Sequence, residues 1–460
     1  MLDTKNSYNV TLVNNFESLV EQLVSIIWGT PLVICVLGTA VYLLLLTRLR
    51  PYFYLKHAFE LLFLKKESKG LGTNSHWGAL TTALGGTIGM GNIAGVAIAL
   101  QIGGSGAIFW MWITAACGMI IKFFSCTLSC IYRRNVAGVG YVGGPMYTII
   151  MGLGNNFRWL SYIFAFFGMI GCLGIFQANQ LSAVLLAKSE LPPFILSIVI
   201  IGIIFLILRG GVRRLGFFSS FFLPIMGGCY LLICGTIILM NIDRLDDILK
   251  SIFFGAFDPT AAIGGVLGLS VRDTIITGVK RAIFSNEAGV GTETLAHSTA
   301  KTEYPIREGL VAMIGPILDT HIICTATALI ILSTDLLGNT DAVGILLVAE
   351  AIEINFPGIG ASLLAAIFSL FALSTMITYA YYSTACAKYF FGEKIGKNYI
   401  YFYLLLIFLS PYWSPTTAIG IIDIAFALMT IPNLISIFLL TPVVLEKMNA
   451  YSKTLQKSQH

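Results

Sequence analysis

Long apolar segments alternate with short polar connections along the whole chain. A helix that spans a bilayer needs about 20 consecutive, mostly apolar residues. Eleven segments meet this requirement or come close to it, at 24–47, 78–102, 104–132, 159–187, 193–208, 214–241, 270–299, 309–334, 359–387, 399–413 and 416–442. The shorter segment 342–353 predicts an amphipathic helix outside the bilayer. The pattern therefore predicts an all-α, polytopic membrane protein with eleven transmembrane helices.

The distribution of Lys and Arg predicts how these helices are oriented. The loop 48–76 carries six basic residues, which predicts that it lies in the cytoplasm. Alternation across eleven helices then places twenty basic residues in cytoplasmic segments and four in outer segments, the four being Lys5, Lys188, Arg244 and Lys250. We therefore expect the N-terminus outside and the C-terminus in the cytoplasm. Basic loops that set topology do not indicate a nucleic-acid partner.

Two of the predicted helices are interrupted near mid-span. In 78–102, four glycines fall within seven residues, at positions 85, 86, 89 and 91. Glycine costs about 1 kcal/mol relative to alanine inside a helix. Close packing of neighbouring helices is one explanation, and a helix unwound near Gly89 to Asn92 is the other. The segment 270–299 is broken in a similar way, at Ser285 to Gly291 within FSNEAGVG.

The positions of the two breaks predict an internal repeat. Each break lies in the first of five consecutive helices, and an odd number of helices per unit forces the two units into opposite orientations. Inverted repeats with broken helices are typical of secondary transporters. We therefore divide the chain into an extra N-terminal helix with its basic loop (1–77), a first repeat (78–241), an outer loop (242–269), a second repeat (270–442) and a cytoplasmic tail (443–460).

Composition narrows the class of function. The chain is 57% hydrophobic and 11% charged, whereas soluble domains average about 25% charged residues. The sequence contains no GxxxxGK[ST] loop for ATP and no HExxH zinc motif. An ATP-driven pump and a membrane-embedded enzyme are therefore disfavoured. We expect no organic cofactor, and nothing indicates an obligatory protein partner.

A broken helix offers chemistry that suits a zwitterion and a small cation. Its unpaired N–H groups attract a carboxylate, and its unpaired carbonyls coordinate an ion such as Na⁺. Carbonyls at Gly85 and Ile88, with the adjacent hydroxyls of Ser374 and Thr375, are candidate sodium ligands. The alternative for this hydroxyl pair is bonding back to the carbonyls of its own helix.

With these motifs in place, the chain resembles the alanine/glycine:cation symporter family (sodium:alanine symporters) over nearly its whole length. The resemblance implies a LeuT-type fold with two inverted five-helix repeats and one extra N-terminal helix. It also implies Na⁺-coupled uptake of alanine or glycine across the inner membrane of a prokaryote. The segments that carry it are 29–50, TALGGTIGMGNIAGVAIAL (82–100), GAIFWMWITAACGMIIKF (106–123), GGPMY (143–147), QAN (177–179), FSNEAGVG (284–291), AH (296–297) and 309–332.

The resemblance also implies roles for individual residues. The substrate site lies between the two broken helices and is formed by Thr87, Gly89, Gly91, Asn92, Gln177, Phe284, Ser285, Asn286 and Tyr379. The implied sodium site comprises Gly85, Ile88, Ser374 and Thr375.

Four places depart from the family pattern. Met90 stands within GMGN where GTGN is common, and Ser125 ends a KFxE-like run. Tyr379 replaces a Trp, and Thr292–Thr294 replaces part of GSAPIAHA. Because these positions lie near the expected transport path, they bear on substrate choice more than on the fold.

Charged and titratable residues inside the predicted spans are functional candidates because burying them in lipid is costly. They are Lys122, Glu287, Glu293, His297, Asp319 and His321. We predict that Lys122 pairs with Glu287. His321 raises a proton-coupled symporter of the same fold as an alternative function. A histidine hydrogen-bonded to a neighbouring helix is the favoured explanation of this residue. A non-transporting amino acid sensor is a further alternative.

Overall fold

A computed structural model describes residues 2–63, 70–136, 140–187, 191–208, 211–258 and 270–458. Within these ranges the regular structure is helical, apart from an antiparallel hairpin of β1 (Arg134–Val136) and β2 (Gly140–Val142). The end of the predicted outer loop 242–269 lies outside the described residues, as do five of the basic residues used for orientation, Lys65, Lys66, Lys69, Lys188 and Arg209.

The first half of the described chain contains twelve α-helices. They are α1 (Leu2–Ile27), α2 (Thr30–Thr47), α3 (Arg50–Phe53), α4 (Leu55–Phe63), α5 (His76–Thr87), α6 (Met90–Gly103), α7 (Gly106–Ile131), α8 (Pro145–Gly152), α9 (Arg158–Gly171), α10 (Ile175–Leu186), α11 (Pro193–Leu208) and α12 (Gly211–Met240). A 3₁₀ turn at Asn155–Phe157 leads into α9.

The second half contains eleven more among the described residues. They are α13 (Leu245–Gly255), α14 (Val271–Asn286), α15 (Thr294–His297), α16 (Pro305–Ala312), α17 (Ile314–Pro316), α18 (Thr325–Leu332), α19 (Ile345–Asn355), α20 (Gly360–Phe391), α21 (Glu393–Gly396), α22 (Tyr399–Leu409) and α23 (Pro415–Ser458). A π-helical segment, Ile317–Cys324, joins α17 to α18, and 3₁₀ turns occur at Ile242–Arg244 and Ser410–Tyr412.

Seven helical segments in the described ranges are long and apolar enough to cross a membrane, or eight when the bent pair α5–α6 counts as one span. Three further predicted spans form helices, but α11, α14 and α22 have only 16, 16 and 11 residues. The protein is therefore a helical, multi-pass membrane protein. The count of eleven spans and the extra N-terminal helix remain predictions.

The helices differ from the predicted segments at several places. The polar N-terminal segment, expected to precede the first span, forms α1, which packs against α23. The segment 159–187 is interrupted between α9 and α10, near Gly171 and Gly174, and this break was not predicted. The final helix does not end at 442 but continues to Ser458. The segment 342–353 is indeed helical, and five apolar residues of α19 are buried.

The two broken helices pack against each other at the centre of the molecule. α14 contacts α6, and α15 contacts α5, so the first half of each broken helix lies beside the second half of the other. This pairing requires the two helices to run in opposite directions, as expected for inverted repeats. α7 packs along α14 and α16, and α20 packs against α5 and completes the surroundings of the breaks.

Candidate functional site

The first broken helix is interrupted at Ile88 and Gly89, between α5 and α6, whose axes differ by 40°. The side-chain oxygen of Asn92 accepts a hydrogen bond of 3.0 Å from the Gly89 N–H, which caps the start of α6. A Cβ on Gly89 would lie 2.1 Å from the hydroxyl oxygen of Thr375, so glycine is required against α20. A break is present where it was expected, but it comprises only Ile88 and Gly89, since Met90, Gly91 and Asn92 of the predicted Gly89 to Asn92 already belong to α6.

The second broken helix is interrupted between α14 and α15. Glu287, Gly289 and Gly291 have φ angles of 57°, 91° and 93°, so the backbone enters the left-handed region three times. Asn433 on α23 donates a hydrogen bond of 2.8 Å to the carbonyl of Gly289 and holds the loop. The break therefore begins two residues later than the predicted Ser285 to Gly291.

Asp319, in the π-helical segment, lies where the two breaks meet. The hydroxyl of Ser285 donates to its carboxylate at 2.5 Å, and the Asn92 amide donates to its backbone carbonyl at 3.3 Å. The amide of Asn286 donates to the neighbouring Thr320 hydroxyl at 3.1 Å. π-Helical turns occur frequently at functional sites. One acidic residue on a third span thus joins both broken helices.

Phe284 forms an apolar wall beside the breaks. Its ring lies 3.2 Å from where a Cβ on Gly91 would stand, and its centroid is 5.5 Å from that of Phe176 on α10. Gln177, the next residue of α10, is 2% exposed, and its amide oxygen has no hydrogen-bond partner among the described residues. The buried hydroxyl of Thr87, at the end of α5, also lacks one there. The fold thus brings α10 to the broken helices.

The candidate sodium ligands also come together. α5 ends at Thr87, so the carbonyls of Gly85, Gly86 and Thr87 have no partner within the helix, whereas that of Leu84 accepts from the Ile88 N–H at 2.6 Å. The Ser374 hydroxyl donates to one of them, the Gly85 carbonyl, at 3.3 Å. The Thr375 hydroxyl is buried against Gly89 and has no hydrogen-bond partner in the described part of the chain. The carbonyl oxygens of Gly85 and Ile88 and the hydroxyl oxygens of Ser374 and Thr375 are hard ligands. Oxygen ligands of this type suit a hard cation such as Na⁺.

Glu287 is held by two hydroxyl groups rather than by a basic side chain. Thr292, on the other side of the break, donates to its carboxylate at 2.5 Å, and Tyr379 on α20 donates at 2.6 Å. The predicted ion pair with Lys122 is not formed among the described contacts. The family departures at 292 and 379 therefore meet at one carboxylate. Tyr379, predicted to touch substrate, directs its hydroxyl to Glu287.

Lys122 instead lies among several buried acids. It is close enough to act electrostatically on Glu287, Glu293 and Asp319. The Ser125 hydroxyl, one turn along α7, donates to Glu293 at 3.2 Å. The two departures from the family at 125 and 293 are thus in direct contact. Among the described residues, Lys122 forms no ion pair within 4 Å with any of these three acids.

His321 does not join the residues around the breaks. Its ring nitrogen Nδ1 lies 3.2 Å from the Pro316 carbonyl of its own span, and the residue is half-buried. His321 thus has a hydrogen-bonding contact that does not require a proton-coupling role. The contact is to a carbonyl of its own span, whereas the sequence predicted a partner on a neighbouring helix.

The sequence reasoning missed three buried polar residues that pair with other buried side chains, namely Asp423, Glu308 and His76. Arg281 on α14 pairs with Asp423 on α23, and both are buried. Glu308 accepts from both His76 and His297. Asp423 could have been identified from the sequence, because it is an acidic residue inside the predicted apolar span 416–442. Glu308 and His76 lay one and two residues outside the predicted spans 309–334 and 78–102, so they were read as loop residues.

Comparisons with known proteins agree with this architecture. A sequence model of the sodium:alanine symporter family matches residues 13–460. An uncharacterized transporter of Haemophilus influenzae is 38% identical over 96% of this chain and 97% of its own length. The sodium/alanine symporter AgcS of Methanococcus maripaludis is 34% identical over 95% of this chain and 98% of its own.

The fold is shared with a solved transporter at lower sequence similarity. The crystal structure of MhsT in complex with L-phenylalanine aligns with a TM-score of 0.57 and 13% identity, covering 81% of this chain and 90% of MhsT. This likeness is one of fold, and it identifies the LeuT-type arrangement. The relatives are transporters and not enzymes. The family match over most of the chain and the two full-length relatives lead to one conclusion: the chain is a multi-pass membrane transporter that belongs to the sodium:alanine symporter family.

Proposed function

We propose that this chain couples the entry of Na⁺ to the uptake of a small neutral amino acid, alanine or glycine, across the inner membrane of a prokaryote. The observation that carries the proposal is the junction of two oppositely directed broken helices at Asp319. Their freed backbone groups, placed deep in a membrane protein, need a polar ligand or a buried partner. The name of the relative AgcS supports alanine as the substrate.

The surroundings of the breaks suit both ends of a zwitterionic amino acid. The first N–H groups of α6, from Met90 onward, attract the substrate carboxylate. The buried amide oxygen of Gln177 is an acceptor for the ammonium group. Phe284 and Gly91 close the space for the side chain.

The sodium ion is assigned to the end of α5. The carbonyls of Gly85 and Ile88 and the hydroxyls of Ser374 and Thr375 are its proposed ligands. These groups belong to the first broken helix and to α20. Sodium therefore stabilises the packing of these two elements against each other when it binds.

We further propose eleven spans, with the N-terminus outside and the C-terminus in the cytoplasm. The distribution of basic residues supports this orientation. α11, α14 and α22 are the short spans that raise the count from eight, and α2 is the extra N-terminal span. Proton coupling and a non-transporting sensor are the competing functions, and one experiment separates all three.

Purified protein reconstituted into liposomes should accumulate labelled alanine or glycine when an inward Na⁺ gradient is applied. Replacing Gln177→Ala or Asn286→Ala should abolish uptake while the protein remains folded by size-exclusion chromatography. Asn339→Ala, at an exposed position outside the site, is the matched control and should transport normally.

Two results would contradict the proposal. Equal uptake with choline in place of Na⁺ under a pH gradient would favour proton coupling. Saturable amino acid binding without any uptake would favour a sensor.

A further inference from the structure

A groove lies between α2 and α23 on the apolar outside of the helix bundle. The two elements are in contact at both of its ends. At one end the Trp28 indole, just before α2, donates to the Asp423 carbonyl at 2.9 Å. At the other end the ring centroids of Tyr42 and Phe438 are 5.1 Å apart. Between these contacts the helices separate and enclose about 630 Å³, which we call the α2–α23 groove.

The lining of the α2–α23 groove is apolar. Buried side chains such as Leu32 and Leu434 form its floor, and the exposed Cys35 and Ile431 lie at its rim. Thr39 carries the one hydroxyl among the described residues that line it, and that hydroxyl donates to the Cys35 carbonyl of its own helix at 2.7 Å. The groove has the volume of a small-molecule site, roughly 300–1,000 Å³, but its lining suits a hydrocarbon.

The length of the groove matches one leaflet of a bilayer. Its lining on α23 extends from Leu428 to Leu439, eleven residues apart, or about 16 Å at 1.5 Å per residue along a helix. Half of a hydrocarbon core about 30 Å thick is about 15 Å. A helix of a second protein chain is about 10–12 Å wide and would not enter between two elements that touch at both ends of the groove. A single acyl chain is narrow enough and has the right length.

A basic side chain lies at the end of the groove that the proposed orientation places outside. Arg272, the second residue of α14, donates from Nε to the Thr30 hydroxyl at 3.1 Å, and the next residue, Pro31, lines the groove. Arg272 is exposed, and its Nη1 and Nη2 atoms donate to no described residue. The neighbouring Asp273 accepts from Ser270 instead. Because a guanidinium binds phosphate through parallel hydrogen bonds, Arg272 offers a headgroup contact where an acyl chain enters.

The floor of the groove also contacts the second broken helix. Leu434 lines the groove, and its side chain lies 3.9 Å from where a Cβ on Gly289 would stand. The preceding residue, Asn433, donates to the Gly289 carbonyl at 2.8 Å. Pro432 has no N–H, so the carbonyl of Leu428 loses its helical donor and α23 is weakened at this turn. A ligand in the groove would therefore pack against the turn of α23 that holds the second break.

We propose that the α2–α23 groove binds an anionic phospholipid of the outer leaflet, with its phosphate on Arg272 and one acyl chain against Leu434, and that this lipid supports the second break. The acyl chain supplies the van der Waals contacts that the separated helices do not give each other. The leaflet follows from the proposed topology. The effect on transport rests on the proposed function, whereas lipid binding does not.

The first test measures lipid binding without any substrate. Purified protein is titrated with phosphatidylglycerol or with zwitterionic phosphatidylcholine, and bound lipid is counted by native mass spectrometry. Phosphatidylglycerol should bind about fivefold more tightly, the contribution of one basic residue near an anionic headgroup. Arg272→Gln should remove this preference. Cys35→Phe, which places a ring in the groove, should weaken the binding of both lipids.

The matched control is Ile34→Phe, because Ile34 is the neighbouring residue of α2, is 63% exposed and does not line the groove. It should bind both lipids as the wild type does. Unchanged phosphatidylglycerol binding in both Arg272→Gln and Cys35→Phe would overturn the proposal. A wild-type dimer that Cys35→Phe dissociates would identify a second copy of the chain as the occupant and would also overturn it.

The second test measures the link to the second break. Alanine uptake by the wild type should be faster in liposomes that contain phosphatidylglycerol than in phosphatidylcholine alone. Arg272→Gln should match the wild type in phosphatidylcholine and should not respond to phosphatidylglycerol. Equal wild-type rates in the two lipids would overturn the support of the second break. Failure of the proposed function would be distinguishable, since it would abolish uptake in both lipids and leave the binding results unchanged.

Discussion

Thr375 carries a buried hydroxyl with no hydrogen-bond partner in the described ranges, which is unusual for a threonine within a helix. Such hydroxyls commonly bond back to a carbonyl one turn earlier, as Ser369 on the same helix does to Ala365 at 2.7 Å. Thr375 instead lies against Gly89 at the first break. The Thr375 hydroxyl therefore does not bond back to a carbonyl of its own helix, which was the alternative to a role as a sodium ligand.

We expect Thr375→Val to raise the Na⁺ concentration needed for half-maximal uptake about tenfold, which corresponds to about 1.4 kcal/mol of binding free energy. Valine keeps the shape of threonine and removes one oxygen ligand. Uptake measured against Na⁺ concentration at a fixed alanine concentration tests this expectation.

The control for this measurement is Ser369→Ala, which removes a hydroxyl from α20 that already bonds its own helix. It should leave the Na⁺ dependence unchanged. If Thr375→Val and Ser369→Ala showed the same Na⁺ dependence, Thr375 would not be a sodium ligand.

At the scale of the element, the sequence predicted both broken helices from local features. Clustered glycines and polar residues within apolar segments were sufficient to predict the breaks. Glycines destabilise a continuous helix at these positions, and the polar groups would be buried there without partners. The start of the second break was misplaced by two residues. Its left-handed turn at Glu287 depends on Thr292, Tyr379 and Asn433, and two of these lie on distant helices.

Other parts of the site escaped the sequence for a related reason. The break between α9 and α10 carries only Gly171 and Gly174, a weak local signal. Glu308 lies one residue before the predicted apolar span 309–334. A charged residue at such a boundary is assigned to the loop when hydropathy is the only criterion. Its two histidine partners lie 232 and 11 residues away, so only the packed structure brings the three together.

The break in the first helix yields an element-scale prediction. Gly89→Ala should abolish uptake, because its Cβ would stand 2.1 Å from the Thr375 hydroxyl and force α5 and α20 apart. Gly95→Ala, six residues further along α6, would place a Cβ 3.7 Å from Phe284, an ordinary contact. It should retain most of the uptake. Comparable activity of the two variants in liposomes would argue against a tight junction at Gly89.

At the scale of the whole molecule, buried ion pairs connect helices far apart in sequence. Arg281 pairs with Asp423 and also lies over the Phe284 ring, 5.2 Å from its centroid. The Trp28 indole donates to the Asp423 carbonyl at 2.9 Å. The turn between α1 and α2, α14 and α23 therefore converge at Asp423, next to the aromatic wall of the site.

Breaking this pair from one side should be costly. We expect Asp423→Asn to destabilise the protein by about 3–5 kcal/mol, because Arg281 remains buried without its counter-charge. Thermal unfolding in detergent, followed by intrinsic fluorescence, measures the change. The double variant Arg281→Gln with Asp423→Asn should recover part of the loss. A double variant less stable than Asp423→Asn alone would contradict the assignment of the cost to an unpaired charge.

The span Pro305–Leu332 carries Glu308 near one end and Asp319 in its π-helical segment. Eleven residues separate the two, about 16 Å at 1.5 Å per residue along a helix. Glu308 accepts from His76 at the start of α5 and from His297 at the end of α15, and Asp319 touches both broken helices beside the proposed substrate. Both buried carboxylates therefore belong to one span, so a displacement of that span along its axis would change the contacts of both at once.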